Sequence, residues 1–223
     1  LVRRAVAAAA LLAALLVGVV GVQSLPWIRR TFPGFLVMAN RVVPSIALPQ
    51  WAEGRAPELF QHQVLTVDGH PVASARAVYD LVEASPPGAA REYRVRSPWG
   101  AERTERVSSQ VFGGRDWLLL FGAFLLNGIV FLATGLIVYR LAPRRPASRA
   151  VLAATLTTGI FVITAVDLYG PHRFFRLHVV AECLMGAALL HLALVFPTER
   201  GRARRRRWLA LVYGAAVLLA VGA

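Results

Sequence analysis

Residues 116–141 read DWLLLFGAFLLNGIVFLATGLIVYRL. Between Asp116 and Arg140 no charged side chain occurs, and the run is longer than the roughly twenty apolar residues a helix needs to cross a bilayer. Trp117 and Tyr139 lie near its two ends, where amphipathic rings favour the membrane–water interface. This stretch decides the fold class: an α-helical polytopic membrane protein. Upstream, residues 5–25 (AVAAAALLAALLVGVVGVQSL) are uncharged and follow Arg3 and Arg4. That core exceeds the roughly 7–15 residues of a signal-peptide apolar region, and no clear small-x-small site precedes a polar segment. We therefore expect residues 1–26 to be a retained transmembrane helix. Downstream, residues 150–169 form a third span ending at Asp167 and Tyr169, and residues 174–196 a fourth that stops at Pro197. Residues 208–223 (WLALVYGAAVLLAVGA) begin a fifth, too short to cross. The expectation is four full spans plus a truncated fifth, in a piece of a longer protein. The missing initiator methionine fits that.

Composition agrees. The chain is 57% hydrophobic with a mean hydropathy of +0.54, whereas soluble domains run at roughly 45–50% apolar. A net charge of +13 suggests nucleic acid at first sight. All 25 basic residues are arginine, however, and they gather at the ends of the apolar runs. There they act as topology determinants facing anionic head groups, so no nucleic-acid partner is expected. Cys183 is the lone cysteine, in an apolar run, and it excludes an internal disulfide and any zinc-type cysteine spacing.

Arginine asymmetry sets the orientation. Arg3 and Arg4, then Arg140, Arg144, Arg145 and Arg149, then Arg200, Arg202 and Arg204 to Arg207 flank alternate ends of the spans. The short loop around Gly170 to Arg173 is poor in arginine by comparison. The amino terminus is expected to be cytoplasmic and the insert at residues 27–115 extracytoplasmic, in a bacterial inner membrane. The insert is nearly neutral, and long domains translocate largely regardless of charge.

Within the insert, Phe35 to Val43 (FLVMANRVV) is rich in strand-forming residues, and Gln63 to Val67 (QVLTV) is a short strand before an Asp68-Gly69 turn. Ser74 is placed to cap a helix running to about Glu83, with Ala77, Val78, Leu81 and Val82 on its apolar face. Pro86-Pro87-Gly88 stops it, and Tyr93 to Arg96, Trp99-Gly100 and Arg103 to Val107 make a hairpin. This order, with Val64-Leu65-Thr66-Val67-Asp68-Gly69-His70-Pro71-Val72 at its centre, resembles a bacterial PDZ-like domain over roughly residues 32–111. The resemblance implies a small mixed α/β fold. It also implies an extended peptide adding beside Gly34, Phe35, Leu36, Val37 and Met38, where Pro33 to Leu36 stands in for the loop that receives a peptide carboxylate. His62-Gln63 replaces the family's Gly-Asp before the strand.

Polar groups inside apolar spans are costly and mark candidate sites. His178 and Glu182 are four apart and share a helix face, while His191 is out of phase with them. Asp167 ends the preceding span, so Asp167, His178 and Glu182 are expected to meet in one cluster at the outer helix ends. The alternatives for that cluster are a metal, proton or ligand site, and a plain ion pair or hydrogen bond between helices with Asp167 solvated at the surface. Its spacing is not that of a metal site, and no metal or cofactor is expected. Asn127 is expected to bond a neighbouring helix. The chain has no His-Glu-x-x-His, no Gly-x-Ser-x-Gly and no P-loop, so no catalytic residue is assigned.

The fourth span closes with Leu190-His191-Leu192-Ala193-Leu194-Val195-Phe196-Pro197, followed by a basic loop and then Trp208-Leu209 and Tyr213. This ending resembles the N-terminal membrane-sensing region of bacterial sensor histidine kinases of the competence quorum-sensing type. The resemblance implies a sensory input module for signal transduction in a two-component system. Catalysis would lie beyond residue 223, the partners would be the lipid bilayer and an extracytoplasmic peptide or protein, and the chain would pair as a homodimer. Gly122, Gly128, Gly135 and Gly186 would let its helices approach closely. The competing reading is a membrane-anchored PDZ-like scaffold or protease-associated protein. A transporter subunit would need internal repeats, and none is visible.

Overall fold

The structure is a computed structural model that describes residues 2–170, 172–196 and 202–222. Pro197 and Arg200, expected to end the fourth span and to mark the inner loop, lie outside the described residues. Among the described residues, four helical stretches are long and apolar enough to cross a membrane: Arg4–Trp27, Gly114–Leu141, Pro146–Tyr169 and Phe175–Val195. The chain divides into two compact units. One comprises Ser24–Phe121 with Leu168–His172, and the other Leu1–Gln23, Gly122–Asp167 and Arg173–Ala223.

In chain order, α1 (Val2–Ser24) runs into a 3-10 turn at Leu25–Trp27, where Pro26 fits an early helical position because its missing N–H needs no partner there. The strand β1 (Thr31–Phe32) follows. Then come two 3-10 turns, Trp51–Gly54 and Ala56–Leu59, and the strands β2 (Gln63–Val67) and β3 (His70–Pro71). Helix α2 (Ala75–Glu83) starts where Ser74 Oγ accepts the Ala77 N–H at 3.2 Å, an N-cap bond that satisfies one orphan donor of the first turn. Strands β4 (Ala90–Arg96) and β5 (Glu102–Ser108) form the hairpin, and β6 (Gln110–Val111) leads out.

The sheet order is β3-β2-β4-β5, all antiparallel, and β1 pairs with β6 in a separate two-stranded ladder. At the β2–β3 turn Asp68 has φ 48° and Gly69 φ 77°, the left-handed pair that a two-residue hairpin turn requires. The Asp68 carboxylate locks this turn to β4 by accepting the Glu92 N–H at 2.8 Å and pairing with Arg91. Partial burial pushes that carboxyl up. The Glu92 N–H and the Arg91 guanidinium outweigh it and hold Asp68 below the usual carboxylate range.

The core of this unit is aromatic. Phe112 is fully buried and touches Trp27, Phe32, Trp51 and Phe121 at centroid distances of 5.3, 5.4, 5.7 and 5.4 Å. The two chain crossings at its base are laced together. Arg29 N–H donates to Phe112 O and Phe112 N–H to Arg30 O, both at 2.8 Å. The Trp117 indole N–H reaches Ser24 O and Oγ at 3.2 and 3.0 Å. Trp117, expected as an interface ring, ties the segment leaving the domain to the end of α1.

After α3 (Gly114–Trp117) a π-turn at Leu118–Gly122 leads into α4 (Ala123–Leu141). Helix α5 (Pro146–Thr164) begins four residues before the expected 150, because Pro146 sits at its first turn with φ already set for a helix. It passes into a 3-10 segment, Ala165–Tyr169. Helices α6 (Phe175–Val195) and α7 (Arg202–Gly222) complete the unit, and α7 carries the helix upstream of the expected 208 through the arginine run. Successive helices from α4 to α7 pack side by side. Glycine sets the α4–α5 spacing. A Cβ on Gly128 would overlap Ile163 Cγ1 and lie 3.1 Å from Gly159 O, and one on Gly135 would overlap Thr155 Oγ1. Gly186 in α6, also expected at a close approach, has nothing within 4 Å.

Candidate functional site

The stretch Gly34 to Met38 is not a strand edge. Phe35 to Val43, expected to be β-rich, forms no continuous strand; only its end pairs, through the Val42–Gln63 bridge and the flanking bonds of Arg41 and Val43 to Gln61, His62 and Val64. The reason is a tight turn: Met38 N–H donates to Val42 O at 2.9 Å and Arg41 N–H to Met38 O at 2.8 Å, with Arg41 at φ 66°. Asn40 Oδ1 steadies it by accepting the Val42 N–H at 3.1 Å. The extended segment ends after four residues, and its side chains turn inward. Phe35, Leu36 and Val37 are all fully buried, Gly34 is buried and Met38 half-buried. Gly34 holds φ 81°, and a Cβ there would press to 3.0 Å on the backbone N of Ala52, so the loop closes on the Trp51–Gly54 turn.

Helix α2 covers the segment with Tyr79. Its hydroxyl accepts the Val37 N–H at 2.8 Å and lies 3.3 Å from Val37 O, to which it donates. Both main-chain groups an incoming strand would use at Val37 are therefore engaged. Burial pushes the Tyr79 phenol well above its ordinary value, against the opposing pull of the Val37 bond, so it stays protonated and keeps the proton it donates. The ring is held from behind by Trp27, edge-on at 5.2 Å, and by the Arg30 guanidinium 4.9 Å above it, which pairs with Glu83 on the next turn. Tyr79→Phe is expected to strand two buried backbone groups and cost about 1–3 kcal/mol. The Val37 amide should then exchange hydrogen at least tenfold faster, and an unchanged rate would show that the hydroxyl does not close this segment.

Asp167 and Glu182 both lie near enough to His178 to act on it electrostatically, but close hydrogen bonds from Asp167 and His178 run to other partners. Asp167 is buried, and its Oδ2 accepts the Phe174 N–H at 2.6 Å, capping the start of α6. His178 is buried and turns to α5 instead. Its Nδ1 lies 3.0 Å from Thr164 Oγ1 and 3.2 Å from Phe161 O, and its ring stacks on Phe161 at 4.4 Å. Thr164 Oγ1 is itself 2.8 Å from Ile160 O, so its proton goes there, and Nδ1 carries the hydrogen that His178 donates. Glu182, one turn along the same face, is exposed, and no His178–Glu182 ion pair forms among the described residues. The four-residue spacing was right for a shared face, but Thr164 and Phe161 supplied the nearer partners. Asn127 likewise bonds within its own helix, Nδ2 to Ala123 O at 2.8 Å, rather than across to another.

One polar pair was missed from the sequence. His191 Nδ1 meets Tyr213 Oη at 3.2 Å, rings edge-on at 5.9 Å, tying α6 to α7. Both residues stand in the stretch that carries the sensor resemblance, which was the available signal. A second series of contacts links α2 to the loop after α5. Tyr79 meets Trp27, Trp27 meets Phe121 at 5.7 Å, and Phe121 stacks on Tyr169 at 6.4 Å and 12°. Among the described residues no group of three His, Cys, Asp or Glu side chains could hold a metal ion. No family model matches the chain, and no curated protein matches it significantly.

Proposed function

We propose that this chain is the membrane-embedded input module of a signal-transduction protein, arranged as in the sensor histidine kinases its fourth-span ending resembles. Residues 27–115 are an extracytoplasmic PDZ-like domain in this reading, and the apolar helices span a bacterial cytoplasmic membrane with the amino terminus inside. The observation that carries it is the ring series Tyr79–Trp27–Phe121–Tyr169. It starts at the segment an external peptide or protein would engage. It ends on Phe121, in the π-turn that leads into α4, and on Tyr169, which closes the 3-10 segment after α5. A partner that displaced the Tyr79 hydroxyl from Val37 would move Trp27, and through it both helix ends.

Such a partner shifts the module only through its different affinity for the open and closed arrangements. The His191–Tyr213 bond offers the bundle a way to pass that shift to α7. The large apolar side chains left open on the helices, Leu11, Leu12 and Leu15 of α1 among them, suit a lipid environment. Alkaline phosphatase fused after residue 100 should be active and fused after residue 146 inactive. The opposite pattern would put the Tyr79 segment inside the cell and end the reading as an external sensor.

A further inference from the structure

Strand β5 is the outer strand of the four-stranded sheet, with β4 on one side only. Its ladder register fixes which main-chain groups face outward. Ser97 N–H donates to Ala101 O at 2.8 Å and Ser109 N–H to Ala89 O at 2.9 Å. Antiparallel pairs alternate between bonded and non-bonded. Residues 101, 103, 105 and 107 therefore bond β4, and Glu102, Thr104 and Arg106 point their N–H and C=O groups away from it. All three are exposed. Arg106 O is capped by Arg55 at 2.9 Å, and the outward main-chain groups of Glu102 and Thr104 leave an edge that is a template for another strand.

The edge reads Glu102-Arg103-Thr104-Glu105-Arg106, and its charges are self-complementary about Thr104. We propose that β5 pairs antiparallel with β5 of a second copy of this chain, with the two-fold axis at Thr104. In that register Arg103 faces the second copy's Glu105 and Glu102 faces its Arg106, each twice by symmetry, and the two threonines meet at the axis. Thr104 and the Glu102–Arg106 pairs fall on the outward-facing groups, so the same register satisfies the backbone. A shift of the axis by half a residue sets Arg103 against Arg106, and an in-register parallel pair stacks like on like. Charge complementarity thus selects one occupant and one register. The Arg55 guanidinium, which now caps Arg106 O at 2.9 Å, swings aside, while Glu102, paired with Arg94 and Arg96 in its own chain, and Arg103, which donates to Glu58 O at 2.7 Å, turn to or share with the second copy. The pairing stands on β5 alone and holds whether or not the chain transmits a signal.

The test uses the whole chain in membranes, with Cys183→Ser as background. Directly opposed bonded residues have Cα atoms about 5.5 Å apart, inside the disulfide range of about 4.4–6.8 Å. Thr104→Cys should therefore give a disulfide-linked dimer on mild oxidation. Arg106→Cys should not, because four residues of offset put it about 13 Å from its symmetry mate. Adding Glu105→Arg or Arg103→Glu to Thr104→Cys should each cut the linked dimer at least tenfold. Co-expressing those two chains should restore it as a heterodimer. The intrachain Arg103–Glu105 pair, 3.1 Å apart, is lost in both, so restoration can come only from across the interface. Equal cross-linking at 104 and 106, no cross-link at 104, or no restoration in the mixture would each overturn the pairing.

Discussion

Phe112→Ala is expected to destabilise the unit built from Ser24–Phe121 by about 3–5 kcal/mol, the usual range for emptying a fully buried aromatic site. Single domains hold only about 5–15 kcal/mol in total, so the loss approaches unfolding. The location makes relaxation difficult. Phe112 has no exposed surface and sits among Trp27, Phe32, Trp51 and Phe121, rings that are themselves braced by one another. Its backbone is also fixed on both sides by Arg29 and Arg30, so the chain cannot slide inward to fill the space. Limited proteolysis of the whole membrane-inserted chain measures the effect, with Trp99→Ala for comparison. Trp99 stands 93% exposed at the hairpin tip and should change cleavage little. Equal sensitivity of the two variants would mean that the aromatic cluster does not hold the unit together.

That cluster shows where sequence reading stops. Local signals were legible. The Asp68-Gly69 turn, the Ser74 cap, the Pro86-Pro87-Gly88 stop and the β4–β5 hairpin all depend on neighbours within a few residues, and all stand where the pattern put them. Long apolar runs were legible for the same reason, since helix length and composition are read from consecutive residues. The ring contacts join positions from 27 to 169, and nothing in a period of two or 3.6 announces them. Phe35 to Val43 failed differently. Its β-forming residues are real, but Asn40 and Arg41 make a turn in the middle, and burial rather than pairing uses the apolar side chains. Strand propensity measures fit to a half-buried pleated surface, whereas Phe35, Leu36 and Val37 are buried outright and the turn after them is exposed.

The membrane-proximal polar residues carry the same lesson in finer form. A spacing of four told correctly that His178 and Glu182 share one side of α6, yet hydrogen bonding is decided at 3 Å. Thr164 and Phe161 of α5 stand at that distance from His178, and Glu182 does not pair with it. Asp167 was sought as a site residue and serves as a cap, because the first N–H groups of α6 lack helical partners and its carboxylate reaches one of them. Glycine was the most informative residue type in the bundle, but only by position. Gly128 and Gly135 lie one beneath the other on α4, seven residues apart, and both face α5, whereas Gly186 faces open space.

Gly128→Leu is therefore expected to force α4 away from α5 and to be the most damaging single change in the bundle. The first added atom already overlaps Ile163 Cγ1. The next nearest neighbours are Ile163 Cδ1 at 2.9 Å and Gly159 O at 3.1 Å. Ile163 could change rotamer, but Gly159 O is backbone and moves only with its helix. In the membrane setting proposed for these helices, association rests on close packing rather than water exclusion, so lost contact is not recovered by apolar burial elsewhere. Overpacking costs about 1–3 kcal/mol at an ordinary core site and more where backbone is in the way. The two-helix seam leaves no softer route, because Leu132 already fills the space beside Gly159, where an added Cβ would come within 2.9 Å of it. Gly186→Leu adds the same side chain to α6 with nothing within 4 Å and should fall within about 0.5 kcal/mol of the parent. Unfolding of the whole chain in mixed detergent micelles, followed by helical circular dichroism, separates the two. If Gly186→Leu proved the more harmful, α6 and not the α4–α5 seam would be the packing centre of the bundle. The open face at Gly186 would then have to be covered by another helix in the assembled protein.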